Sequence, residues 1–169
     1  QGLLQGDENG LWFAAKDASS GLEMMHLSAT GTFHLYDLQP FGDSSPSQGL
    51  SLDDGFVVAA SDGTGRQLVK LDHDGGFQWL TSMTKDGTTT PVSVMAPAFG
   101  IELLGDNLVF DVVYRGADAT LFAYNLTSGM LQELSTNILA PGHSNDVISN
   151  GHTIWFDCVL GNTGMEICQ

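Results

Sequence analysis

Short stretches of alternating polar and apolar residues, separated by glycine turns, run along the whole chain. The clearest case is residues 55–79, where three apolar segments are separated by the turn sequences SDGTG and DHDGG. Alternation with a period of two is typical of half-buried β-strands, and glycine beside aspartate is typical of tight turns. The pattern predicts a β-meander in this segment.

The same order of strands and turns recurs in four units, at about residues 1–46, 47–90, 91–142 and 143–169. Equivalent second strands hold Trp12, Val57, Val109 and Trp155, which lie about 45 to 52 residues apart. Four strands at this period are typical of a β-propeller blade. The sequence therefore predicts an all-β fold in which residues 1–169 form a single β-propeller-like domain. It should hold about four four-stranded antiparallel blades, the last one incomplete because only three strands fit before Gln169.

The alternation also predicts the inward-facing side chains of this fold. The predicted set is Trp12, Ala14, Val57, Ala59, Val109, Phe122, Trp155 and Phe156.

The net negative charge of the chain excludes some classes of binding partner. The chain carries 5 Lys and Arg against 20 Asp and Glu, a formal net charge of −15. A field of this sign repels nucleic acid phosphates and anionic lipid surfaces. The apolar runs are shorter than the roughly 18 residues of a spanning helix. We therefore expect no nucleic acid partner and no membrane insertion.

Several segments carry a family resemblance. They are GLEMMHLSATGT at residues 21–32, VAASDGTGRQL at residues 58–68, NILAPG at residues 137–142 and GMEIC at residues 164–168. These resemble the ELWxSDGTxxGT-type, hyalin-like β-propeller repeats of bacterial secreted and surface proteins. The chain departs from that repeat where its tryptophan is replaced by Met25, Val69, Ala123 or Cys168. The resemblance implies a propeller in a secreted, extracellular protein, and it brings no catalytic residues with it.

Sequence motifs of catalysis are missing. The chain has no GxSxG, HExxH, P-loop or dinucleotide-binding motif, and its histidines lack metal-ligand spacing. From this we expect the chain not to be an enzyme.

Calcium is the cofactor that the turns suggest. Asp53 and Asp54 precede one glycine turn, and Asp72 and Asp74 lie in another. Carboxylates at tight turns are the hard oxygen ligands that Ca²⁺ takes. The same residues are also the ordinary chemistry of a turn, which is the competing interpretation.

Three further features are candidates for modification or binding. Asn125 begins an N-x-T glycosylation sequon. The aromatic pairs at residues 12–13 and 155–156 form either a carbohydrate stacking surface or packing between blades, and we favour packing. Cys158 and Cys168 lie on neighbouring predicted strands, where an oxidising compartment would allow a disulfide; two buried thiols are the alternative.

These observations favour a non-catalytic extracellular structural or adhesive module that belongs to a polymeric or filamentous surface assembly. The missing sixteenth strand would come from a second copy or another chain by strand donation at an edge, or from further residues of the same protein. Two alternatives stay open: a lectin-like carbohydrate-binding propeller, and a glycan hydrolase or lyase that uses carboxylates around the channel.

Overall fold

The fold was taken from a computed structural model, which describes residues 3–83, 93–94, 100–113, 119–138, 148–159 and 165–169. Within these ranges the regular secondary structure is β-strand, and no helix there is long and apolar enough to cross a membrane. The chain divides into two compact units, Gln1–Pro91 and Val92–Gln169. We describe each unit by itself, and the single domain stays a prediction.

The first unit contains two four-stranded antiparallel sheets, which we call blades 1 and 2. Strands follow one another in sheet order, so each blade is a meander. Blade 1 consists of β1 (Leu4–Asp7), β2 (Gly10–Asp17), β3 (Gly21–Ser28) and β4 (Phe33–Tyr36). Blade 2 consists of β5 (Ser47–Leu52), β6 (Gly55–Ser61), β7 (Arg66–Leu71) and β8 (Phe77–Trp79).

The second unit begins with a short strand, β9 (Ser93–Val94), which pairs with β11. Blade 3 consists of β10 (Ile101–Leu104), β11 (Asn107–Val113), β12 (Ala119–Asn125) and β13 (Leu131–Ile138). Blade 4 consists of β14 (Ile148–Ser149), β15 (Ile154–Val159) and β16 (Met165–Cys168). A single residue pair, Ile138 with Cys158, joins β13 to β15 and makes blades 3 and 4 one continuous sheet.

The predicted fold class is confirmed, including the incomplete last blade. Strand β9 was not predicted, because its two residues were assigned to no strand. Five of the eight predicted inward residues are buried: Trp12, Val57, Ala59, Val109 and Phe122. Ala14, Trp155 and Phe156 are half-buried. Consecutive residues of a strand point to opposite faces, so Trp155 and Phe156 could not both face the same core.

The two faces of blade 1 differ in what covers them. The inner face carries Trp12, Met24 and Tyr36, which are buried against blade 2. In blade 2 they meet alternate residues of β6 and β7, namely Phe56, Val58, Ala60, Val69 and Leu71. Trp12 stacks on Phe56, with ring centroids 5.1 Å apart. The outer face of blade 1 carries the residues between these positions: Leu4, Leu11, Phe13, Met25, Leu27, Phe33 and Leu35.

Two glycines show which residues of blades 1 and 2 are structurally equivalent. Gly10 and Gly55 open β2 and β6 with φ of +154° and +155°. A Cβ on Gly10 would lie 2.2 Å from the carbonyl oxygen of Leu27, and one on Gly55 would lie 2.1 Å from that of Leu71. The same backbone contact therefore recurs, and it makes Leu11 equivalent to Phe56 and Leu27 equivalent to Leu71.

A buried polar side chain in each third strand holds the segment that leaves the blade. Glu23 of β3 accepts hydrogen bonds from the N–H groups of Leu38 and Ser44, both at 3.0 Å. Gln67 occupies the equivalent place in β7, where its Oε1 accepts bonds from the Thr81 hydroxyl and the Met83 N–H, both at 2.9 Å. Burial raises the pKa of Glu23, although the bonds from Ser44 and Leu38 oppose that shift.

Replacing Glu23 should destabilise blade 1 in a graded way. Glu23→Ala leaves two buried N–H groups without acceptors and should lower the free energy of unfolding by about 3 kcal/mol. Glu23→Gln keeps one acceptor and should lower it by about half as much. Urea unfolding of both variants measures the difference, with exposed Glu8→Ala as the control. Equal losses in the two Glu23 variants would contradict this role.

Candidate functional site

Three histidines from different parts of the first unit meet near Trp12. His26 of β3 stacks on the Trp12 ring, with centroids 4.0 Å apart. Its ring centroid lies 6.3 Å from that of His34 on β4 and 5.4 Å from that of His73 in the β7–β8 turn. The β3–β4 register pairs His26 with His34 directly. We call these three residues the histidine cluster.

Asp7 supplies the negative charge beside the histidine cluster. Its carboxylate accepts bonds from Trp12 Nε1 at 2.7 Å and from the N–H groups of Asn9 and Gly10. Burial would raise the pKa of Asp7, but these bonds outweigh burial and hold the pKa below its ordinary value. His73 Nε2 lies 3.9 Å from Asp7 Oδ2.

His26 is a shielded, neutral imidazole. Its side chain is buried, and neither ring nitrogen makes a hydrogen bond of normal geometry. Burial is the main cause that lowers the pKa of His26, and the neighbouring His73 lowers it further. Such a ring is available as a base or a ligand. However, in the ranges that the structure describes, no three His, Cys, Asp or Glu side chains are grouped so that they could hold a metal ion.

The second unit contains a buried carboxyl group of another kind. Asp111 on β11 is fully buried, and neither of its oxygens has a hydrogen-bond partner. It lies opposite Leu121, on the face of blade 3 that packs against Ile154 and Phe156 of blade 4. Burial raises the pKa of Asp111 to about 8. A carboxyl group shifted this far is protonated at neutral pH, and such groups are frequent at functional sites.

The predicted calcium ligands lie in two turns of blade 2, around a lysine. Lys70 Nζ is 2.6 Å from an oxygen of Asp54 and 3.9 Å from one of Asp72. The side chain of Asp74 accepts a long bond from the Gly76 N–H, as an ordinary turn residue does. Asp53 is exposed. The structure thus places an ammonium group between Asp54 and Asp72, and calcium binding stays a prediction.

The predicted modification sites stay predictions as well. The strand register puts Cys158 and Cys168 diagonally across β15 and β16 on one face, but the side chain of Cys158 lies outside the described residues. The Asn125 amide donates to Asn107 Oδ1 and accepts from Ser128, so this sequon side chain is part of a turn.

Burial excludes Trp12 from an exposed sugar-binding surface. Trp12 is fully buried between the blades, as the packing interpretation predicted.

The histidine cluster and Asp111 were missed from the sequence. The cross-strand register of β3 and β4 would have revealed the first pair of histidines. The single charge within the apolar run LVFDVV was the available signal for Asp111.

Comparison with known proteins gives a likeness of fold. No protein-family profile matches the sequence, and no curated protein matches it. Two crystal structures of puromycin hydrolase, one of them a mutant complexed with PGG, share 15% sequence identity with the chain at a TM-score of 0.62. The match covers 98% of this chain and 26% of puromycin hydrolase, so the chain spans about a quarter of that enzyme's length.

This comparison corrects one expectation. The absence of catalytic motifs led us to expect that the chain is not an enzyme, and the recurrence of its fold within a hydrolase contradicts that expectation. The physical reason is that short motifs report only catalytic sites built from neighbouring residues. A fold whose loops come from separate blades can contribute to a site without any such motif.

Asp111 should make the second unit lose stability as pH rises. The folded carboxyl stays protonated up to about pH 8, whereas the unfolded one ionises above its ordinary value of 3.8. Unfolding therefore releases a proton in this window, and stability should fall by about 1.4 kcal/mol per pH unit. Urea unfolding at pH 5, 6 and 7 should show this slope in the wild type, and Asp111→Asn should remove it. The exposed substitution Glu133→Gln is the control, and parallel curves for wild type and Asp111→Asn would contradict the assignment.

Proposed function

We propose that the chain is a β-propeller portion of a hydrolase and that its blades form part of the framework around the substrate. The observation that carries this proposal is the likeness to puromycin hydrolase over 98% of the chain. Because the match spans 26% of that enzyme, the proposal concerns a part of the machinery and leaves the reacting groups unassigned.

Four of the described carboxyl groups do not have the arrangement that the glycan hydrolase alternative requires. That mechanism needs two carboxyl groups that face each other across a bond. Asp7, Asp17 and Asp62 each accept N–H bonds from their own turns. Asp111 is enclosed in an apolar face. These side chains support turns and packing, which fits a framework.

The native protein tests the hydrolase proposal. Antibodies raised against the 169-residue chain should isolate material that hydrolyses puromycin, with product release followed by chromatography. Eluates from pre-immune serum, adjusted to equal total protein, are the control. Isolated protein that is recognised by the antibody, yet hydrolyses neither puromycin nor a panel of peptide amides and esters, would contradict the proposal.

A second candidate is the extracellular structural or adhesive module completed by strand donation. The observation that favours it is the edge of blade 4. Strand β16 pairs with β15, and no other strand of the described segments pairs with β16. An unpaired edge strand offers main-chain hydrogen bonds to a strand of another molecule.

A further inference from the structure

The turn between β7 and β8, at residues 72–76, lies against one end of blade 1. The Tyr36 hydroxyl of β4 donates a hydrogen bond of 2.5 Å to the carbonyl oxygen of Asp72. A Cβ on Gly75 would lie 2.9 Å from Nδ1 of His34, on the same strand as Tyr36. The rings of the histidine cluster complete the contact. We call this contact between residues 72–76 and blade 1 the turn interface.

His26 lies at the centre of the turn interface, in surroundings that disfavour a charged ring. It is 1% exposed and is stacked on Trp12. A Cβ on Gly10 would lie 2.9 Å from Nε2 of His26, so this nitrogen faces the backbone at the start of β2. In the described part of the chain, neither ring nitrogen makes a hydrogen bond of normal geometry. An imidazolium has two N–H donors, and burial of a charged donor without an acceptor is costly.

The charged groups that face His26 do not offset this cost. Burial lowers the pKa of His26 most, and the neighbouring His73 and His34 lower it further. The Asp7 carboxylate and the backbone of His73 oppose this shift without cancelling it.

The other titratable groups of the turn interface act on a different side chain. Besides His26, the titratable groups come from three elements: Asp7 of β1, His34 and Tyr36 of β4, and Asp72, His73 and Asp74 of the turn. Burial, followed by the charges of Asp72 and Asp74, raises the pKa of Tyr36 to about 12. These two carboxylates therefore keep the Tyr36 hydroxyl protonated as the donor to the turn.

We propose that His26 is an acid switch of the first unit: a proton on its imidazole releases residues 72–76 from blade 1, while the strands of both blades stay paired. The turn can move by itself, because it is five residues long and includes Gly75 and Gly76, which tolerate other backbone conformations. The core between the blades consists of residues that take up no proton, so it keeps the two sheets in contact. This inference does not depend on the proposed hydrolase function.

The direction of the pH dependence follows from the two states of His26. The released imidazole has the ordinary pKa of 6.5, and in the closed turn interface the pKa lies below that value. The closed form is therefore fully favoured above pH 6.5. Below it, the ratio of closed to open form should fall about tenfold per pH unit, until the pKa of the closed form is reached. Asp7 stays ionised between pH 5 and 8, because its pKa lies below the ordinary value of 3.8, so it does not contribute to this change.

Hydrogen exchange of the Trp12 indole N–H, followed by NMR on the 169-residue chain, tests the proposal. This N–H is buried and donates to Asp7, so it exchanges when the turn interface opens. Its protection, relative to the indole of free tryptophan at each pH, should be nearly constant between pH 7 and 8 and should fall by up to about 30-fold at pH 5. Low urea concentrations should not change it, since local opening exposes little surface. EDTA is present throughout, to remove any cation at the predicted calcium ligands Asp72 and Asp74.

Three variants identify the residue that takes up the proton. His26→Phe keeps a ring on Trp12 but cannot take up a proton, so its protection should not change between pH 8 and 5. His73→Gln removes another imidazole of the turn interface, and His152→Gln removes an exposed one of the second unit; both should retain the dependence on pH. Circular dichroism checks that each variant is folded. Independently of any variant, NMR titration of the His26 ring in the wild type should give a pKa below 6.5.

Four results would overturn the proposal. The first is wild-type protection of Trp12 that is the same at pH 8 and pH 5, and the second is a His26 ring that titrates at or above pH 6.5. The third is a pH dependence that survives in His26→Phe but is lost in His73→Gln, which would assign the proton to His73. The fourth is protection of Trp12 that falls with urea as strongly as that of the β6 backbone amides, because Trp12 would then be exposed by global unfolding alone.

Discussion

Burial of Trp12 between two sheets is the constraint on which the first unit depends. The ring is enclosed by Phe56 on one blade and by His26 and Tyr36 on its own. Apolar burial of one aromatic side chain contributes about 2 to 3 kcal/mol, and neither sheet could provide that burial alone. The alternation along β2 then determines the other face, because every residue that does not face blade 2 must face away from it. The exposed outer face of blade 1 is thus a consequence of the same pattern that builds the core.

Polar groups are buried here in two different ways. Glu23 and Gln67 accept hydrogen bonds from the segments that follow the fourth strands of their blades. Each side chain therefore holds that segment against the third strand. The ring nitrogens of His26 and the carboxyl oxygens of Asp111 make no hydrogen bond of normal geometry, and burial shifts both pKa values toward the neutral form. The first pair holds the blades together. His26 and Asp111 make stability depend on pH in opposite directions. The contribution of neutral His26 to stability is lost as the pH falls below the ordinary pKa of histidine, and that of protonated Asp111 is lost as the pH rises above the ordinary pKa of aspartate.

The strands could be predicted because each is short, alternating and bounded by glycine. The turns at Gly10 and Gly55 even carry the same contact in both blades. Strand β9 could not be predicted, because two residues are too few to show a period. The histidine cluster could not be predicted, because residues 26, 34 and 73 are far apart in the sequence. Strand register and the packing of the two blades bring them together. Function could not be predicted from motifs, because a site assembled from the loops of separate blades leaves no short motif in the sequence.

A double-mutant cycle between Trp12 and Phe56 tests most directly whether repeat-equivalent faces hold the blades together. The variants are Trp12→Leu, Phe56→Leu and their combination, compared by urea unfolding. Stacked rings 5.1 Å apart should give a coupling free energy of about 1 kcal/mol. A control cycle between Phe13, on the outer face, and Phe56 should be additive to within about 0.5 kcal/mol. Additivity of the Trp12 and Phe56 substitutions would contradict the account, because it would mean that blade 1 does not pack on blade 2 through these faces.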